Sequence, residues 1–177
     1  MPNRPQKFWD FSIELYVRAG VAEACLELQD SHGIDVNLLL YCFWYGTYFG
    51  NFDKLLFDDL VDFSCAWEQG VVQPLRSVRR WMKNPSQLVS ENQASQFQSL
   101  RQRIKSEELS AEKIQQEMLE VITLQANPGS IDTGSTAIQA NLLQLLNIYA
   151  LTANGDIQAE LNVISLACSL LPVSPSD

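Results

Sequence analysis

The chain has 177 residues, 46% of them hydrophobic, with 12 basic and 21 acidic side chains and a net charge of −9. That length fits one domain of ~100–200 residues and buries roughly 70% of the surface its unfolded form exposes, so folding requires neither disulfide nor metal. The acidic balance excludes the dominant basic face of a nucleic-acid-binding protein.

The charge is unevenly placed: residues 1–75 carry 4 basic and 11 acidic groups, residues 76–105 carry 7 and 1, and residues 106–177 carry 1 and 9. The positive middle therefore has two acidic regions to pair with. At the N-terminus, M-P-N-R-P-Q-K runs into Phe8-Trp9-Asp10, and Asp10 and Glu14 interrupt any apolar stretch. No signal peptide is expected there.

In Phe8–Tyr16, apolar residues at 8, 11, 15 and at 9, 13, 16 predict a short helix with a wide buried face. Arg18-Ala19-Gly20 ends it. Val21, Ala24, Cys25 and Leu28 then repeat at helical spacing, with Glu23, Glu27 and Asp30 facing water. Gly20 and Gly33 suit the left-handed position that follows a helix. Asp35 is placed to cap the next helix.

That next stretch, residues 36–46, organises the chain. Leu38 to Tyr45 hold no charge and almost no polar side-chain atom. A segment apolar on every side is surrounded by other elements, whereas a surface helix shows one apolar stripe. It is far shorter than the ~20 residues a bilayer requires, so it reads as the buried central helix of a globule.

Gly46 to Phe52 marks a turn. From Asp53 to about Gln69, Leu56, Leu60, Phe63 and Trp67 share one side of a helix, which Gly70 weakens. In residues 71–83, Val71, Leu75, Val78 and Met82 form one face, and Arg76, Arg79, Arg80 and Lys83 the other. Pro74 fits a helix that starts near Val71; in a helix continuous from residue 55 it predicts a kink. Asn84-Pro85-Ser86 breaks the run. A polar segment at about 90–125 follows, with apolar residues from Phe97 to Ile122 at 3–4 spacing. One long helix, or two broken near Ser106–Ser110, satisfies it. After the loop at 127–135, the pattern predicts helices over Thr136–Ala153 and from Asp156 to Leu171, with Asn154-Gly155 closing the first and Pro172 stopping the second. The fold class is all-α: one helical-bundle-like domain, 1–177, of seven or eight helices. Within it, 8–83 forms a compact N-terminal unit, 86–126 the polar helical segment and 135–171 a C-terminal helix pair.

The blocks F-W-D-F-S at 8–12, G-V-A-E-A-C-L-E-L-Q-D at 20–30, G-I-D-V-N-L-L-L at 33–40, Trp44 and V-V-Q-P-L-R-S-V-R-R at 71–80 resemble a family of uncharacterised proteobacterial proteins of about this length. The resemblance covers roughly residues 8–125 and is most specific in the N-terminal blocks. It implies an all-helical, cytosolic protein and brings no assigned activity or catalytic residue.

Two constellations carry chemistry. Asp58, Asp59 and Asp62 form a D-D-x-x-D string on a predicted helix, where carboxylates can hold Mg²⁺ bridging to a diphosphate. The string resembles the aspartate-rich motif of isoprenoid synthases, but those chains are much longer and a second metal motif is missing. A plain acidic outer face explains it equally. The Arg76/Arg79/Arg80/Lys83 stripe can grip an anion or an acidic partner through guanidinium forks, or form a wet face paired with Glu107, Glu108, Glu112, Glu117 and Glu120. A membrane-surface role conflicts with the acidic flanks.

Three smaller features have structural readings. His32 reads as a helix-end residue, with Asp30 or Asp35 as the partner a general base requires. Asn37 bonds the preceding loop backbone or lines a pocket; unpaired, a buried amide costs ~1–3 kcal/mol. Cys25, Cys42, Cys65 and Cys168 lack metal spacing and read as free buried thiols in a reducing compartment. The residues thus predict a cytoplasmic, non-enzymatic helical protein that acts by binding another protein, a second copy of itself included, with no cofactor. The alternative is a Mg²⁺-dependent enzyme or binding protein for an anionic or isoprenoid-diphosphate-like ligand.

Overall fold

The computed structural model describes residues 5–83, 93–126, 128 and 132–172. Eight α-helices and one π-helical turn make up the described residues, with no strand among them. They are α1 (Phe8–Tyr16), α2 (Val21–His32), α3 (Val36–Tyr48), α4 (Lys54–Trp67), α5 (Gln73–Trp81), α6 (Ala94–Gln125), α7 (Ser135–Ile148) and α8 (Gly155–Ser169), with the π turn at Glu68–Val72 between α4 and α5.

Helix α3 is the axis of the molecule. Every residue from Asn37 to Gly46 is buried, including Leu39, Phe43 and Trp44. Helix α7 lies along α3, helices α1, α2 and α6 close the other sides, α8 packs on α2, and α4 with α5 lean on α6. One apolar core spans these helices, from Phe8 to Cys168. Asp35 caps α3 as its position predicts, accepting from the Asn37 N–H at 2.8 Å. Gly20 and Gly33 both adopt left-handed backbone, at φ +82° and +70°. No helix among the described residues is long and apolar enough to cross a membrane.

Gly46 lets α7 approach α3. Its carbonyl accepts the Gly134 N–H at 2.8 Å. A Cβ there would lie 2.6 Å from Ile138 Cγ1 and 2.8 Å from the Ile138 backbone nitrogen. Gly46→Ala is therefore expected to lower stability by about 1–3 kcal/mol through overpacking. Helix propensity alone predicts a gain of up to about 1 kcal/mol. The sign of the shift in urea midpoint decides between them.

The structure decides several local expectations and corrects others. From Lys54 to Trp81 the chain passes through a π turn over Glu68–Val72, after which α5 begins at Gln73, close to the expected start near Val71, with Pro74 in its first turn. There a missing N–H loses no internal bond. Helix α6 is a single rod of 32 residues, about 48 Å long. Ser110 stays helical by bonding its hydroxyl to the Ser106 carbonyl at 2.9 Å. Helix α7 ends at Ile148, not Ala153, because Ala150 turns left-handed at φ 52° and Leu151 N–H closes back on the Leu146 carbonyl. Asn154 starts α8, its side chain accepting from the Ile157 N–H. Cys65 is exposed, unlike the other three thiols, because Ser64 takes the inward position on α4. The predicted break at Asn84-Pro85-Ser86 lies outside the described residues.

Candidate functional site

A cleft of about 330 Å³ opens between α1, the end of α2, the start of α3, α5 and α6. Its volume sits at the lower end of the ~300–1,000 Å³ range of ligand pockets. Helical spacing aims the lining residues at one space. Helix α1 contributes Trp9, Ser12 and Tyr16 at i, i+3, i+7, and α6 contributes Glu108, Glu112 and Gln116 at i, i+4, i+8. Apolar walls come from Leu26, Leu40 and Leu109.

One wall is an ion network. The Arg76 side chain is only 7% exposed and donates from Nε to Glu108 at 3.1 Å, from Nη1 to Glu68 at 3.3 Å and from Nη2 to Glu112 at 2.7 Å. Arg79 donates from both Nε and Nη2 to Glu108. Desolvation opposes the Arg76 charge, but Glu108 and the fields of Glu68 and Glu112 outweigh it and raise its pKa. Burial likewise works to raise Glu108, yet bonds from Arg79 and Arg76 hold it below the ordinary carboxylate value. Glu112 and Glu68 end up raised, mainly by burial. Glu108 has two guanidiniums, and the other two carboxylates share a single one with it.

The second wall is a relay of amides. Asp35 Oδ2 accepts from Ser64 Oγ at 2.6 Å and from Gln115 Nε2 at 2.8 Å. Gln115 Oε1 accepts from Asn37 Nδ2, and Asn37 Oδ1 accepts from Gln116 Nε2, each at 2.7 Å. Burial raises the Asp35 carboxyl, countered by the bonds from Ser64 and the α3 backbone. The residue itself is half-buried, while its carboxylate is ringed by donors. At the end of the relay, Gln116 Oε1 is buried with no hydrogen-bond partner, and so is Ser12 Oγ. Both residues are only 3% exposed, and both line the cleft. A buried polar group left unmatched costs about 1–3 kcal/mol, so each of the two calls for a partner in this cleft, a bound water or a ligand.

The residues singled out from sequence fall out differently. Arg76 is buried rather than on a wet face, Arg79 is half-buried, and Arg80 bonds Asp30 at 2.9 Å on the cleft rim. Lys83 is exposed and lies outside the cleft lining. Of the expected carboxylate partners, Glu108 and Glu112 serve; Glu117 pairs with Lys113, and Glu120 accepts the Phe8 N–H at 2.9 Å. Asp58, Asp59 and Asp62 are all exposed, Asp58 is bonded to Lys54, and none of the three lines the cleft. Among the described residues no group of three or more His, Cys, Asp or Glu is placed to hold a metal. No hydrogen bond or ion pair joins His32 to either carboxylate; Asp30 bonds Arg80, and Asp35 belongs to the relay. Asn37 bonds two glutamines of α6, not the loop before it. Ser12, Gln115 and Gln116 carried no sequence signal beyond being polar at positions where α1 and α6 face inward.

Residues 7–119 match a family described as "Protein of unknown function (DUF2390)". No curated protein and no solved structure matches the chain. Every residue that lines the cleft, from Trp9 to Gln116, lies inside the matched stretch; α7 and α8 lie beyond it.

Proposed function

We propose that this chain, which belongs to the DUF2390 family of proteins of unknown function, is a non-enzymatic binding protein whose cleft between α1, α3, α5 and α6 takes a small molecule. The observation that carries the reading is the pair of partnerless buried atoms, Ser12 Oγ and Gln116 Oε1, in one concave space. Regulation follows naturally from such a site, since a ligand held by several helices at once stabilises their mutual arrangement. A reducing, cytoplasmic setting is part of the proposal, in keeping with four unpaired cysteines. The test is a fragment screen on ¹⁵N-labelled protein. Hits are expected to shift the Trp9 indole and Gln116 side-chain amide signals together. A screen whose hits all fall elsewhere, or that has none, removes the reading.

A second reading, a regulatory factor that binds another protein, is favoured by exposed Ile114, Met118, Val121 and Leu124 on the outer side of α6. Recovery of a stoichiometric partner, lost on Met118→Lys with Val121→Lys, would place it first. Recovery of the same partner by that double variant would dismiss it. The acidic net charge argues against nucleic acid and against an anionic lipid surface in either case. The diphosphate alternative keeps Arg79 and Arg80 at the cleft, but its three aspartates lie elsewhere.

A further inference from the structure

We infer that the ligand of this cleft carries a primary ammonium head on an apolar body. The inference rests on the small-molecule reading above and adds the chemical class. It comes from following each donor and acceptor in the two polar walls to its partner.

A carboxylate accepts hydrogen bonds and donates none. Asp35 therefore turns the amino end of Gln115 toward itself, at 2.8 Å. The carbonyl end of Gln115 then faces Asn37 Nδ2, the Asn37 carbonyl faces Gln116 Nε2, and the Gln116 carbonyl oxygen is the relay atom left without a partner. Asp35 thus sets the polarity of a group three side chains along the relay. On the ion-network wall, Nε, Nη1 and Nη2 of Arg76 are each occupied by a carboxylate. Glu112 binds that guanidinium through Oε1, which leaves Oε2 as a further acceptor. Ser12 Oγ, able to accept, completes the set.

The lining therefore holds three acceptors with no partner of their own: Gln116 Oε1, Glu112 Oε2 and Ser12 Oγ. A primary ammonium carries three donors and no acceptor. An anionic head would meet these same oxygens, while the donors it needs, Arg79, Arg80 and Lys105, stand elsewhere in the lining. Charge-assisted bonds to the ammonium are the strong kind. Trp9 and Leu109 give the apolar body its walls.

Three probes with one ring and different heads test this: 2-phenylethylamine, 2-phenylethanol and 3-phenylpropionate, titrated into ¹⁵N-labelled protein. The amine is expected to shift the Gln116 side-chain amide and Trp9 indole signals saturably, and to bind at least tenfold tighter than the alcohol or the carboxylate. Ser12→Ala removes a hydroxyl that bonds nothing in the protein, so its fold is expected to be unchanged. It should weaken the amine about tenfold, the equivalent of one hydrogen bond. Gln116→Leu should weaken it further. Equal or tighter binding of the alcohol or the carboxylate at the same signals overturns the ammonium assignment and leaves the cleft reading standing. So does amine affinity that is unchanged in Ser12→Ala. If none of the three moves those signals at millimolar concentration, both fall.

Discussion

Arg76→Met is expected to cost about 3–5 kcal/mol of unfolding free energy at neutral pH, the loss typical of stripping one partner from a buried ion network. Methionine keeps most of the side-chain length, so the change isolates the charge from the volume. Three carboxylates, Glu68, Glu108 and Glu112, would then face one another, with Arg79 bound only to Glu108. The deficit has a definite pH dependence. Burial raises the folded-state pKa of Glu68 and Glu112 above the unfolded value. Groups shifted that way favour the fold at acid pH and lose that contribution as pH rises through the folded pKa. Glu108 is held low by Arg79 and Arg76. Its contribution is present above the unfolded pKa, near 4.3, and is lost as pH falls through the folded one. Without Arg76 all three carboxylates move upward. Acidification from pH 7 toward pH 5 should therefore narrow the gap between variant and parent. Urea melts at both pH values measure it. A cost below about 1 kcal/mol, the level of an exposed pair, or a gap that ignores pH, would mean that the network is solvated.

Trp44→Ala should be as damaging, at about 3–5 kcal/mol. In a chain of this size that corresponds to a Tm drop of about 6–20 °C. Trp44 is fully buried, with ring centroids 5.3 Å from Phe8, 5.6 Å from Tyr41 and 5.1 Å from Phe49. Its indole N–H donates to the Gln6 carbonyl at 2.7 Å, tying the segment before α1 to the central helix. Trp44→Phe keeps much of the aromatic area and drops the N–H, so a smaller cost of roughly 1–2 kcal/mol is expected from an unmatched Gln6 carbonyl and a modest void. If thermal melts show Ala and Phe to be equivalent, the hydrogen bond dominates and the packing account of α3 is wrong.

The helical elements were legible because their causes are local. A 3.6-residue period, a capping aspartate or a left-handed glycine acts within about four residues of chain. So α1, α2, α3 and the Asp35 cap could be read directly from F-W-D-F-S, G-V-A-E-A-C and G-I-D-V-N. The misread boundaries are those where a partner from elsewhere intervenes. Tyr149 leaves the helical path after α7, and its hydroxyl accepts the Asp35 N–H at 3.0 Å. Asn141 reads as one more polar residue on α7, yet it is fully buried and holds the turn at Gly50 and Phe52 through its side-chain amide.

The sequence by itself determined the helices, the buried axis at residues 36–46, and the charge stripe from Arg76 to Lys83 with its opposite charges near at hand. Only the tertiary structure decided which carboxylates that stripe meets, that Arg76 is buried, and that Ser12 and Gln116 share a cleft. The reason is distance along the chain. Arg76 and Glu108 are 32 residues apart, and Asn37 and Gln115 are 78 apart. No local propensity encodes a pairing of that range; it exists only once α1, α3, α5 and α6 have packed around one core.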